Sequence, residues 1–264
     1  LVEEMKKVDE SFNFLYVGHW LQGSLGQDRK DTGMLVKVFL ETFKNMKRMP
    51  GLILKTSGAS FSILDREEIL NKINEIKQRI KGNLPNVYFL HGDFTDDEMN
   101  QLYNHPKVKA HITLTHGEGF GRPLLEATLS QKPVIAPNWS GHLDFLSKDL
   151  AVLLGGGQQD VQRGAVPDDM MTEGAQWFGV NYQQASTTMK DVYKSYKKYI
   201  LNAKKLAMVN KSKFSLDAMT KKLGKILDQY VPEFSEEVKL NLPKLKKVGS
   251  SKTPKIKLPK LKKV

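Results

Sequence analysis

"HITLTHGEGFGRPLLEATLSQKPVIA", residues 111–136, decides how the rest of the chain is read. Its two ends, "HITLT" (111–115) and "PVIA" (133–136), read as short strands, and "PVIA" is almost continuously apolar, as strands buried on both faces are. Pro123 suits a first helical turn, because the N–H it lacks would be unpaired there anyway. The segment therefore reads as strand, loop, helix, strand. The loop, "HGEGFG", crowds three glycines into five positions around the carboxylate of Glu118, with that of Glu126 just beyond. A glycine in an ordered element costs roughly 0.5–1 kcal/mol relative to alanine, so the cluster implies that something approaches the backbone closely.

Working outward, the same apolar runs recur at "NFLYV" (13–17), "LILKT" (52–56), "VYFLH" (87–91) and "LAVLL" (150–154), with amphipathic stretches between them. "EEILNKINEIKQRI" places Ile69, Leu70, Ile73, Ile76 and Ile80 at helical spacing, and Asp65 with Glu68 resembles a capping box. "MLVKVFLETFKNM" reads as a helix capped by Asp31 or Thr32. Six strands alternating with helices predict an α/β fold with a doubly wound, parallel six-stranded sheet. After Gly155–Gly157, expected to form a turn, the pattern reads as mostly helical: one long helix near 182–210 and another that Pro232 ends. Trp177, Phe178 and Tyr182 look like packing residues. Residues 1–231 are thus expected to form one Rossmann-like domain with C-terminal helices. Residues 232–264 read as a disordered, basic tail carrying a duplication, "LNLPKLKKV" (240–248) and "IKLPKLKKV" (256–264).

The net charge of +12 invites a nucleic-acid partner, but ten lysines and no acid lie between Lys239 and Val264, leaving only +2 on the first 238 residues. An anionic partner would therefore be a property of the tail. The 264 residues contain no cysteine, which removes disulfides, thiolate nucleophiles and Cys-ligated zinc. No apolar stretch reaches 18 residues, and the N-terminus lacks the pattern of a secretory signal, so a cytoplasmic location is expected. The chain begins without Met, which reads as a fragment or a processed product. His116, His142 and Asp144 have no metal-ligand spacing, so no metal is expected.

Parallel sheets bind ligands beyond the carboxyl ends of their strands. Two loops qualify here: "GHWLQGSLGQDRKDTG", with Arg29 and Lys30 just before a helix, and the glycine loop. Backbone amides, a helix N-terminus and two cations together would accept a diphosphate. Solvated loop charge is the plain alternative for Arg29 and Lys30. Glu118 and Glu126, spaced E-x7-E, would oppose an anion unless each accepts hydrogen bonds from hydroxyls, which sugars and ribose supply. Phosphate with polyols on both sides describes a nucleotide-sugar.

"EGFGRPLLEATLSQKPVIAPNWSGHLDFL" resembles the E-x7-E signature of retaining glycosyltransferases of the GT-B fold, the glycogen-synthase-like family 4. The matching positions are Glu118 to Gly121, Pro123, Glu126, Ala127, Lys132 to Ala136, Gly141 and Asp144. "FLYVGHW…RKDTG" is similar to that family's opening strand and basic loop, and "NVYFLHGDFTDDEMNQLY" to its base-binding segment. The resemblance covers about residues 12–230 and implies the C-terminal, donor-binding half of a GT-B enzyme. It implies a hexosyltransferase acting with retention and without a metal or other cofactor. Glu118 would be catalytic and contact the donor sugar; the amides of Gly119, Phe120 and Gly121 would hold sugar and phosphate. Glu126 would hold ribose, Arg29 and Lys30 the diphosphate, and Asp93, Phe94 and Thr95 the base through backbone groups. The family's N-terminal acceptor domain would come from an upstream segment or a partner chain. Where that family usually has an arginine soon after the first strand, this chain has His19 and Trp20. The alternative is a non-catalytic nucleotide-sugar-binding module whose basic tail engages nucleic acid or an acidic protein surface; a relative that hydrolyses or isomerises the sugar nucleotide is a third reading.

Overall fold

A computed structural model of the chain describes residues 1–21, 23, 25–162, 165 and 171–232. Its contacts divide it into two units, Leu1–Thr220 and Lys221–Val264. The expected tail and its duplication lie, from residue 233 onward, outside the described residues.

The first unit is built on six parallel strands, β1 (Asn13–His19), β2 (Gly51–Ser57), β3 (Val87–Leu90), β4 (Val108–Ile112), β5 (Val134–Pro137) and β6 (Val152–Leu154), in the order β3-β2-β1-β4-β5-β6. The α/β sheet is the one the apolar runs predict. β4 begins three residues earlier than expected and ends at Ile112, so Thr113–Thr115 already lead into the glycine loop. Successive strand residues point to opposite faces, which explains why the runs are continuous rather than alternating. Phe14 and Tyr16 enter one core with Leu35 and Phe39 of α2 (Thr32–Phe43), Ile69 and Ile73 of α3 (Ile63–Gln78) and Met189 of α6 (Tyr182–Lys194). Leu15 enters the other with Met5 of α1 (Val2–Lys6), Leu102 of α4 (Asp96–Asn104), Leu124 of α5 (Arg122–Leu129) and Leu206 of α7 (Tyr196–Lys213).

Helix ends are closed by identifiable groups. The Thr95 side chain accepts from the Glu98 amide while the Glu98 carboxylate accepts from the Thr95 amide, a full capping box on α4. At the other end of α4, the Lys132 ammonium donates to the carbonyls of Tyr103 and His105. The capping box expected at Asp65 and Glu68 is not formed. Ser62 caps α3 by accepting from the Asp65 amide, and the Asp65 carboxylate instead accepts from the Gly58 amide at 2.7 Å, fastening the loop after β2.

Two further expectations are corrected. Gly156 and Gly157 are not a turn: β7 (Gly156–Asp160) pairs antiparallel with β8 (Gln176–Val180) in a second, two-stranded sheet. β7 reads "GGQQD" and is exposed throughout, so it carries no apolar period. It is held by its partner, whose Trp177, Phe178 and Val180 are buried, and a side chain on Gly156 would collide with the Gly179 carbonyl. The long helix near 182–210 is two helices that meet at Ser195. α6 packs on α2 and α7 on α5, so the break lets the chain pass from one face of the sheet to the other.

α8 (Leu216–Tyr230) follows and buries none of its residues. Among the described residues no helix is long and apolar enough to cross a membrane.

Candidate functional site

The strand order reverses direction between β1 and β4, the place where an open parallel sheet leaves a crevice at its carboxyl ends. The loops after β1 and β4 flank that point, and beside them lies a cleft of about 750 Å³. Arg29 and Lys30 line it from the first loop, and Arg122, Pro123 and Glu126 from the start of α5. Lys55 and Ser57 of β2, Asp93 and Phe94 of the loop after β3, and Tyr103 of α4 complete the walls that matter here. Of the residues singled out from the sequence, Arg29, Lys30, Asp93, Phe94 and Glu126 therefore share one cavity. Thr95 does not line it, its hydroxyl being committed to the α4 cap, and neither do Glu118, Gly119, Phe120 or Gly121.

Lys30 connects the two groups. Its ammonium reaches Glu118 Oε1 at 2.5 Å, with only 13% and 11% of the two side chains exposed. Burial pulls the Lys30 ammonium below the usual lysine range, and Glu118 opposes that pull. Arg29 is half exposed; its guanidinium donates to the Gly117 carbonyl at 2.8 Å and stands 3.8 Å from Glu118.

The glycine loop is held on three sides. The His116 amide donates to the Arg29 carbonyl at 2.9 Å, lacing the two loops together. On the hairpin side, the His116 ring stacks on Trp177 at 3.9 Å, its Nδ1 lies 2.7 Å from the Phe178 carbonyl, and the Phe178 amide donates to the His116 carbonyl. On the third side, Ser140 Oγ accepts from the Glu118 amide and donates to the Glu118 carbonyl, which also accepts from the Gly141 amide. Gly141 is needed for this: a Cβ there would lie 2.0 Å from the Gly119 carbonyl oxygen. His142 is equally structural, its Nε2 lying 2.7 Å from the Pro137 carbonyl.

Within the loop, two glycines have different reasons. Gly121 is the N-cap of α5 at φ +85°, a left-handed conformation that disfavours side chains, and its carbonyl accepts from Leu124 and Leu125. Gly119 instead borders open space, with no atom within 4 Å of where a Cβ would be. Among the described residues, no protein acceptor is paired with the amides of Gly119, Phe120 or Gly121. The Phe120 ring leaves the loop and packs on Phe145 and Phe214. Glu126, one turn into α5, pairs with Arg122 at 3.1 Å, and it joins burial in pushing the Tyr103 hydroxyl upward.

Two buried acids flank the cations in the run "DRKD": Asp28 escaped the reading of the sequence, while Asp31 was expected only as a helix cap and does stand at the N-cap of α2. Asp28 accepts from the Thr32 amide at 3.2 Å. Asp31, the N-cap of α2 at φ 53°, accepts from the Tyr182 hydroxyl at 2.7 Å; burial raises its carboxyl to about 7. Tyr182, expected only to pack, thus also reaches the base of the cation loop. Lys55 was likewise missed, since nothing in "LILKTSG" marks a lysine inside a buried strand.

No family model matches the chain, and no curated protein matches it either. Solved structures do. HepE from Anabaena, in complex with UDP and glucose, superposes with a TM-score of 0.60 at 14% identity over 86% of this chain and 51% of HepE. The C-terminal domain of the group 1 family glycosyl transferase LpcC from Francisella tularensis gives 0.53 at 16% identity, over 78% of this chain and 89% of that domain. Sucrose-phosphate synthase from Thermosynechococcus elongatus gives 0.57 at 16% identity, over 87% and 48%. The chain spans about half the length of HepE and of the synthase. Its fold is that of the C-terminal half of GT-B glycosyltransferases.

Proposed function

We infer that the chain is the donor-binding half of a nucleotide-sugar glycosyltransferase that transfers a hexose with retention. The observation that carries this reading is the convergence of Arg29, Lys30, the first turn of α5 and Glu126 on one cleft at the switch point of the sheet. A diphosphate there would meet two cations and a helix N-terminus, and Glu126 stands one turn farther along for ribose hydroxyls. Fixed cations and dipoles of this kind stabilise the charge that develops on a leaving diphosphate without reorganising. No metal or other cofactor is needed in this reading.

Glu118 takes the sugar side. In the free chain its carboxylate holds Lys30, so a diphosphate that engages Lys30 would release the carboxylate toward donor hydroxyls. In this reading the acceptor would be bound by a further domain or a partner chain; this chain spans 51% of HepE.

Calorimetry with nucleotides and their sugar conjugates tests the reading. Glu126→Ala is expected to weaken the bare nucleotide as well as the conjugate. Glu118→Ala is expected to remove only the extra affinity that the sugar contributes. Absence of binding by every member of the panel would reject the function.

A further inference from the structure

β2 is buried along its whole length, yet it carries a lysine two residues before its end. Lys55 pairs in register with Val17 of β1 and Leu90 of β3, and is 9% exposed. A lysine in the middle of a parallel sheet is costly unless its ammonium finds partners. Its Nζ donates to the Gly92 carbonyl at 2.7 Å and stands 4.4 Å from the Phe94 ring centre and 5.6 Å from that of Phe61. An ammonium has three N–H donors, and Gly92 takes one. Lys55, Phe61, Asp93 and Phe94 all line the cleft. At this end of it there is therefore a cation between two aromatic rings, and it ties down the loop that carries Asp93 and Phe94. Asp93 and Glu98 help keep the ammonium charged against the pull of burial.

We propose that Lys55 selects the nucleobase, donating to an exocyclic carbonyl of a keto base (uracil or guanine) that stacks against Phe94 or Phe61. This inference rests on the donor-site reading and adds to it the residue that reads the base. An aromatic face accepts any base, because every base has a π-face, so stacking alone gives affinity without choice. The choice comes from the donor. A base carrying an amino group at the same ring position, cytosine or adenine, sets N–H against N–H and leaves a buried ammonium short of a partner. A charge-assisted hydrogen bond of this kind corresponds to roughly 10- to 100-fold in affinity.

UDP and CDP differ at the exocyclic group on C4 and in the N3 proton that accompanies it, so the test is their ratio. Calorimetric titration of the full chain is expected to give UDP at least about 10-fold tighter than CDP, with 4-thio-UDP, a poorer acceptor, between them. In Lys55→Met, which keeps the length of the stem, the ratio is expected to collapse to within about 3-fold, through loss of UDP affinity and little change for CDP. In Lys55→Gln, whose neutral amide still donates, an intermediate ratio is expected. Equal binding of UDP and CDP by the wild-type chain would overturn the role of Lys55 while leaving the donor site standing. An undiminished ratio in Lys55→Met, or an equal loss for both nucleotides, would reduce Lys55 to a tether for Gly92 and overturn it as well. Should Lys55→Met fail to fold, the wild-type comparison of UDP, 4-thio-UDP and CDP decides by itself. No binding by any nucleotide would remove the donor site and this inference together.

Discussion

Replacing Glu118 by glutamine tests whether the bridge between the glycine loop and the cation loop is a structural element in the free chain. The pair is short, 2.5 Å, and nearly buried, with 13% of Lys30 and 11% of Glu118 exposed, so solvent screens it little. Arg29 also lies near Glu118, but at 3.8 Å and half exposed it can stand in for Lys30 only in part. Taking one partner from a buried pair strands the other charge, a loss of about 3–5 kcal/mol. Glu118→Gln keeps shape and volume and should cost about 3 kcal/mol, the lower end, because the Lys30 ammonium still reaches the cleft. With a urea m-value of about 3 kcal/mol/M, the unfolding midpoint should fall by about 1 M. Lys30→Met should cost less than Glu118→Gln, since a carboxylate left at the loop keeps Arg29 nearby. In the double variant the losses should fall short of the sum by about 2 kcal/mol, the signature of a direct contact. Urea unfolding of the three variants measures all of this. Additivity within about 0.5 kcal/mol would show that the two groups do not interact, and the bridge would have to be abandoned.

The buried acid at the start of α2 gives a pH dependence. Asp31 has a folded pKa of about 7, above its ordinary 3.8, so the folded chain binds more protons between those values and stability falls as pH rises from about 4 to 7. The wild-type stability minus that of Asp31→Asn should drop by roughly 3–4 kcal/mol across this window; a flat difference would place Asp31 in water. His111 acts oppositely, because burial holds its folded pKa at about 3: stability rises with pH from about 3 to 6.5, and His111→Gln should remove that rise in urea titrations. Gly141→Ala should cost roughly 1–3 kcal/mol or more in thermal unfolding, because the new Cβ meets the Gly119 carbonyl at 2.0 Å, whereas Gly119→Ala, facing open space, should leave unfolding unchanged.

The sheet was legible because its strands are buried on both faces, and continuous apolar runs at 13–17, 52–56 and 133–136 have no other simple reading. The cation loop and the glycine loop were legible because their residue types are unusual together. What escaped had no local signal. "GGQQD" is a strand only because β8 pairs with it, and the break at Ser195 answers to a change of face that no period records. Asp65 looked like a cap and is spent on Gly58, since a carboxylate cannot announce which of two nearby amides it will take. Lys55 interrupts an apolar run, and its meaning comes from Gly92, Phe94 and Phe61, residues far from it along the chain or beyond a turn.

Clamping of residues 116–118 by the hairpin, by Ser140–Gly141 and by the carbonyl of Arg29 has a kinetic consequence. A segment fastened at three points has little freedom left to surrender when a guest arrives, so the entropic cost of ordering it has already been met during folding. Association should then be fast and nearly rigid-body at this edge of the molecule, and slow hydrogen exchange at the His116 and Phe178 amides would persist with the cleft empty.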